Sequence, residues 1–192
     1  MIMRKMIRPL LVLFGLLTCL TGLLYPAAVT GLAQVLFPRQ ANGSVMVVNG
    51  VPVGSALIGQ AFDDPRYFWG RPSATSSFPN NASASGGSNL SPTNPVFIQA
   101  VGDRVQALRA ADPANTASIP VDLVTCSGSG LDPHISVASA VYQVGRVARA
   151  RGLPQGQVVS LVELHIEGRQ LGVLGEPRVN VLKLNQALDA VK

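Results

Sequence analysis

The sequence predicts an α+β protein: one N-terminal transmembrane helix followed by a single extracytoplasmic α+β domain. Three observations carry that expectation. From Pro9 to Phe37 the chain has no ionisable residue other than Cys19 and Tyr25. Arg4, Lys5 and Arg8 stand just before this run, and only Arg39 comes after it before Asp63. Beyond it, short β-branched stretches bounded by turn residues alternate with segments whose apolar residues recur at helical spacing.

A helix of about 20 apolar residues crosses a hydrocarbon core of about 30 Å, and Pro9–Phe37 exceeds that length. Each Leu, Val or Phe near the bilayer centre contributes about −0.3 to −0.6 kcal/mol; the glycines, threonines and Pro26 reduce this sum without cancelling it. Short flanks rich in Lys and Arg stay in the cytoplasm. Residues 1–8 are therefore expected to be a cytoplasmic flank, 9–37 the membrane helix, and 38–192 an extracytoplasmic domain. A cleaved signal peptide would have a shorter apolar core, so Gly31 and Ala33 are not read as a cleavage site. On a helix of 3.6 residues per turn, Gly15, Cys19, Gly22 and Pro26 fall on one narrow stripe of small residues, where another helix can approach closely.

Charged residues make up 13% of the chain against a usual share of about 25%, and the net charge of +5 owes three of its positive charges to the flank. The remaining basic residues form no aromatic-interleaved stripe, which argues against nucleic acid. Of the two cysteines, Cys19 falls in the span and leaves Cys126 alone outside, so the outer domain is expected to hold together by packing.

In the outer part, Asn49-Gly50 between Val45–Val48 and Val51–Ile58 predicts a type I′ hairpin, with Pro52 marking an edge strand. Phe62, Tyr67, Phe68 and Trp69 read as a packing anchor. Residues 70–95 are dense in Gly, Pro, Ser and Asn and are expected to form an ordered surface loop. Asn94-Pro95 is an N-cap followed by a first-turn proline; Phe97, Val101, Val105 and Leu108 then mark a helix. Ile119–Thr125 is a strand candidate. A second helix is expected from Ser136 through Val137, Val141, Val144 and Val147 to Gly152, and a third from Pro154 through His165 to Gly168. Val179–Leu184 fits either a strand or the start of a terminal helix.

Catalytic and metal-binding patterns are weak. His134 and His165 lack a second His or Cys at ligand spacing. Ser127, Ser129, Asp132 and His134 offer hydrolase residue types in one loop, but Gly-x-Ser-x-Gly is absent. Asp63, Asp64, Glu163, Glu167 and Glu176 announce no paired acid and base. No Walker loop exists; Ser85-Gly86-Gly87-Ser88 is a weak nucleotide candidate.

Several phrases are more specific: Gly54-Ser55-Ala56-Leu57-Ile58-Gly59-Gln60, Gly70-Arg71-Pro72-Ser73-Ala74-Thr75, Ala84 to Leu90, Val121-Asp122-Leu123, Ser129-Gly130-Leu131-Asp132, Gln143 to Arg149, and Gly175 to Val181 with Leu184-Asn185. In this order they resemble the KdpC family, the third component of the Kdp potassium-transporting ATPase, over almost the whole chain. The resemblance implies a bacterial inner-membrane complex in which the channel-like KdpA passes potassium, KdpB is the P-type ATPase, and a small KdpF is present in some members. KdpC is then a one-span, non-catalytic accessory needed for assembly, a catalytic chaperone that raises the ATP affinity of KdpB. With the domain outside and ATP inside, ATP is expected to act through the partner and the coupling to run through the membrane helix. Cys126 departs from the family, where a small residue such as alanine is usual. The rival reading of the residues alone is a membrane-anchored extracytoplasmic binding or sensor domain.

Overall fold

A computed structural model describes residues 2–191, with side chains from Lys5 to Val191; the side chain of Arg4, in the basic flank, lies outside the described residues. The chain divides into two compact units, Met1–Val45 and Met46–Lys192.

The first unit is helical: α1 Ile2–Cys19, a π-helical turn Leu20–Leu24, α2 Tyr25–Leu36, and a short α3 Pro38–Ala41. Within it Lys5–Leu36 forms one helix of 32 residues, apolar enough to cross a membrane. The π turn has an identifiable cause. Pro26 has no N–H, and its ring would collide with the Gly22 carbonyl four residues back in a regular helix. Widening relieves the collision, and the Tyr25 N–H donates five residues back, to Leu20 O. One extra residue in a turn rotates the remainder of the helix by about 100°. Gly15 and Cys19 therefore share one face, Gly22 lies within the wide turn and Pro26 about a quarter-turn away, so the expected straight stripe is broken. The helix ends at Phe37 (φ −137°), just before Pro38, and the Asn42 amide donates to Gln34 Oε1 at 3.0 Å.

The second unit opens on the hairpin β1 Val45–Val48 and β2 Val51–Ser55. Asn49 (φ 51°) and Gly50 (φ 81°) take the two positive φ values of the expected turn; β2 stops at Ser55 rather than Ile58. The long irregular segment then leads to α4, Pro95–Ala111, whose N-cap Asn94 accepts the Val96 N–H at 2.9 Å. The strand expected at Ile119–Thr125 is instead a 3₁₀ turn, Val121–Leu123. Leu123 N–H and Thr125 N–H bond back to Pro120 O and Val121 O, leaving Leu123 buried.

A three-stranded antiparallel sheet comes next, in the order β3-β5-β4, from β3 His134–Ser136, β4 Ile166–Glu167 and β5 Arg178–Asn180. Ile135 and Ile166 both pair with Val179. Against it lie α5 Val137–Arg151, α6 Gln155–Leu164 and α7 Val181–Asp189. α5 is delimited as its sequence implies: the Ser136 hydroxyl accepts the Ser139 N–H at 3.1 Å, and Gly152 (φ 68°) closes a Schellman end in which Leu153 N–H donates to Ala148 O. α6 stops at His165, earlier than Gly168, because the next residues pair as β4. Val179–Leu184 holds both of its alternatives: β5 ends at Asn180, whose side chain caps α7 through the Lys183 N–H at 3.1 Å. The core comprises Phe68, Ile135, Val144, Val147, Val158, Val162, Val179, Leu184 and Leu188. Each such side chain contributes about 1.5–3 kcal/mol by leaving water.

Candidate functional site

Residues 60–81 have no strand partner, yet the backbone groups of Phe68 and Trp69 are paired by side chains from distant elements. Asn185 on α7 accepts the Phe68 N–H at 2.9 Å and donates to Phe68 O at 3.0 Å. Gln143 on α5 accepts the Trp69 N–H at 2.8 Å and donates to Trp69 O at 3.1 Å. The two amides thus act as strand surrogates, one residue apart. Asn180 is a third such amide, donating to Ala56 O at 2.9 Å.

Arg146, one helical turn beyond Gln143, is buried to 4% exposure. Its guanidinium donates to Pro65 O and Gln143 Oε1, both at 2.6 Å, and lies 4.3 Å from the Trp69 ring centroid. Burial pushes its pKa down to about 10, against the pull of Asp112 and Asp64. It therefore stays cationic at neutral pH, held by a carbonyl, an amide and an aromatic face.

A second polar group ties loop 70–81 to residues 126–134. Arg71 donates to Asp132 Oδ2 at 3.3 Å and Cys126 O at 3.1 Å. The Ser73 hydroxyl donates to Gly130 O at 2.7 Å and accepts the Asn80 N–H at 2.9 Å. Gly130 has φ 67°, and a Cβ there would stand 2.7 Å from both Gly86 O and Thr75 Cγ2, so the crossing of the two loops requires glycine. Between this crossing and α4 lies a cavity of about 140 Å³ lined by Trp69, Arg71, Asn80, Arg104 and Leu108.

The residues singled out for chemistry occupy structural positions. His134 stands between two carboxylates, Nδ1 3.4 Å from Asp132 and Nε2 3.5 Å from Glu167. Glu167 also meets Lys183 at 2.7 Å and Arg178 at 3.4 Å. Burial raises both carboxyls, but hydrogen bonds and nearby cations outweigh it and hold each below its ordinary value. His165 caps α6, its Nδ1 2.8 Å from Leu161 O. The Ser129 hydroxyl accepts the Leu131 N–H, and Ser127 is buried. Glu176 pairs with Arg169 and Asp64 with Arg66. Among the described residues no group of three His, Cys, Asp or Glu could hold a metal ion. In the candidate Ser85 to Ser88 stretch, the Gly86 N–H and the Ser85 hydroxyl both donate to Ser129 O, at 2.9 and 3.1 Å. Gly15 and Gly22 have open space where a side chain would begin.

This arrangement orients loops; its polar groups are largely matched to one another, with Arg71 Nε a buried exception. A family model described as "KdpC: K+-transporting ATPase, c chain" matches residues 7–190. The chain belongs to the KdpC family. Its curated relatives include the potassium-transporting ATPase KdpC subunits of Polaromonas naphthalenivorans, 64% identical over 99% of this chain and 97% of the relative, and Methylibium petroleiphilum, 63% identical over 97% and 98%. That of Variovorax paradoxus is 64% identical over 98% and 97%. The phrases that carry the KdpC resemblance now have physical roles: Arg71, Ser73, Gly130 and Asp132 make the loop crossing, and Gln143, Arg146, Asn180 and Asn185 supply the buried bonds. The individual roles of Gln143, Arg146, Asn180, Asn185 and Asp122 are not evident from sequence pattern. The one signal they offer is polarity in an apolar setting, Gln143 beside Val144 and Asn185 beside Leu184.

Proposed function

We propose that this chain is the KdpC component of an ATP-driven potassium uptake complex and performs no chemistry itself. It assists assembly with the channel-like KdpA, the P-type ATPase KdpB and, where present, the small KdpF, and it raises the ATP affinity of KdpB. The family match from residue 7 to residue 190 carries this reading, and the 32-residue apolar helix supports anchorage in the membrane beside those partners. We place residues 1–8 in the cytoplasm, 9–37 across the bacterial inner membrane and 38–192 outside, following the basic flank.

Nucleotide affinity at a distant site changes only if this chain contacts two states of the pump unequally. We route that coupling through the membrane helix. The Ser85 to Ser88 stretch is not where we place the nucleotide, since Gly86 N–H and Ser85 Oγ already have an acceptor in Ser129 O.

Deleting the chain from cells dependent on the complex should abolish growth at low potassium, and purified complex lacking it should show a raised KM for ATP. An unchanged KM refutes the affinity role. Orientation is read by Leu164→Cys, at a residue 81% exposed, in a background with Cys19 and Cys126 replaced by Ser. Labelling by an impermeant thiol reagent in spheroplasts places the domain outside; labelling only after lysis refutes it.

A further inference from the structure

Asparagine is followed by glycine at two places in the chain, Asn42-Gly43 and Asn49-Gly50. This dipeptide has a chemistry of its own. With no side chain on the second residue, its backbone nitrogen is unhindered and can attack the amide carbon of the asparagine. Both pairs are exposed, so solvent access does not separate them; their bonding does.

At Asn42-Gly43 both reacting groups are held. The Asn42 amide nitrogen donates to Gln34 Oε1 at 3.0 Å and to Pro38 O at 2.7 Å, and the Gly43 N–H donates to Gln40 O at 3.0 Å. At Asn49-Gly50, among the described residues, neither the Asn49 side chain nor the Gly50 N–H has a hydrogen-bond partner. The turn that carries this second pair joins a sheet of two strands, β1 and β2, in which no residue is buried. A two-stranded hairpin is marginally stable by itself, so the opening that brings the Gly50 nitrogen to Asn49 Cγ is a local fluctuation, not unfolding of the domain.

We propose that Asn49 is a site of spontaneous deamidation and that Asn42 is its protected counterpart in the same chain. The Gly50 nitrogen gives up its proton to solvent and bonds to Asn49 Cγ; the Cγ–Nδ2 bond breaks, ammonia leaves, and a cyclic imide remains. Water then opens the ring. Attack at Cγ gives aspartate, and attack at the main-chain carbonyl carbon of residue 49 gives isoaspartate, through whose side chain the backbone now runs. Nothing is oxidised or reduced. Both products place a carboxylate at the tip of the hairpin. Isoaspartate also adds a methylene to the main chain, and the two positive φ values of the type I′ turn can no longer join β1 to β2 as before. Val48 and Val53 on those strands line an apolar pocket of about 230 Å³ with Phe62, Tyr67 and Leu182, so the modification loosens one wall of that pocket.

The test is peptide mapping by mass spectrometry of the full-length chain, aged folded in detergent at mildly alkaline pH. The reference is the same protein digested with trypsin before ageing, which releases both pairs in one peptide, residues 40–66, without Gln34 or Pro38. In that peptide the two asparagines should exchange amide for carboxyl at similar rates. In the folded chain Asn49 should react about tenfold faster than Asn42 or more, the effect of the hydrogen bonds that must break at Asn42, and should yield two products of equal mass that separate by chromatography. Gln34→Ala should quicken the reaction at Asn42 and leave Asn49 unchanged. Equal rates at the two pairs in the folded chain, a faster rate at Asn42, or no quickening at Asn42 in Gln34→Ala would each overturn the proposal.

Discussion

Replacing Gln143 with Leu keeps the side chain's approximate size and removes all of its hydrogen bonds. The Trp69 N–H, the Trp69 carbonyl and the Arg146 guanidinium then lose a partner, as does the Ser139 carbonyl. Each buried polar group left unpaired costs about 1–3 kcal/mol, and the added apolar surface returns about 1–2 kcal/mol. Over the first three of these groups, the net expected loss is about 1–8 kcal/mol. That is a large part of the roughly 5–15 kcal/mol that holds a domain folded. Trp69 is the sole tryptophan and sits at the altered bonds, so urea unfolding of the full-length chain in detergent, followed by its fluorescence, reads the effect where it arises. With an m-value of about 2 kcal/mol/M, the midpoint should fall by about 0.5–4 M. A fall below about 0.5 M at unchanged m would refute the claim that this amide substitutes for a strand partner.

Three further outcomes follow from the geometry. Asp122 accepts from the Ser136 N–H, the Ser136 hydroxyl and the Ser139 hydroxyl at the start of α5, so Asp122→Ala should cost about 1–2 kcal/mol, typical of a lost cap, in the same urea assay. Gly130→Ala forces a side chain into Gly86 O and Thr75 and should open the loop crossing, seen as faster proteolytic cleavage within 70–95 before global unfolding. The carboxyls of Asp132 and Glu167 sit below their ordinary values of 3.8 and 4.5 in the folded chain. Their stabilisation is therefore complete above those values and is lost as pH falls through the lower, folded ones. Thermal unfolding measured from pH 6 down to pH 3 should show a steep acid limb, made shallower by Glu167→Gln.

Local signals are readable in the sequence and long-range ones are not. Asn49-Gly50, Asn94-Pro95, Ser136 and Gly152 each act within a few residues through a turn or cap, and each element they predict is present. Strands of two or three residues such as β3 and β4 are too short to show alternation; their existence depends on β5, far along the chain. The stretch Ile119–Thr125 resembles a strand because its apolar residues are consecutive, whereas backbone bonds to Pro120 and Val121 turn it into a 3₁₀ helix. The wide turn in the membrane helix is legible in principle, since Pro26 cannot donate in any helix; the stripe of small residues assumes a regular 3.6-residue turn that this proline prevents. At the loop crossing, Gly130 and Asp132 stand in a recognisable phrase, but no spacing reveals that Arg71 reaches them.

The bonds from Phe68 to Asn185 and from Trp69 to Gln143 span 117 and 74 residues of chain. As synthesis proceeds, the backbone at 68 and 69 emerges long before either amide that will receive it, and it stays hydrated until α5 and α7 have been made and packed. Closing loops of that length early is entropically unfavourable, so this segment is expected to settle late, and a chain truncated before α7 would leave Phe68 without its partner and the core without its lid.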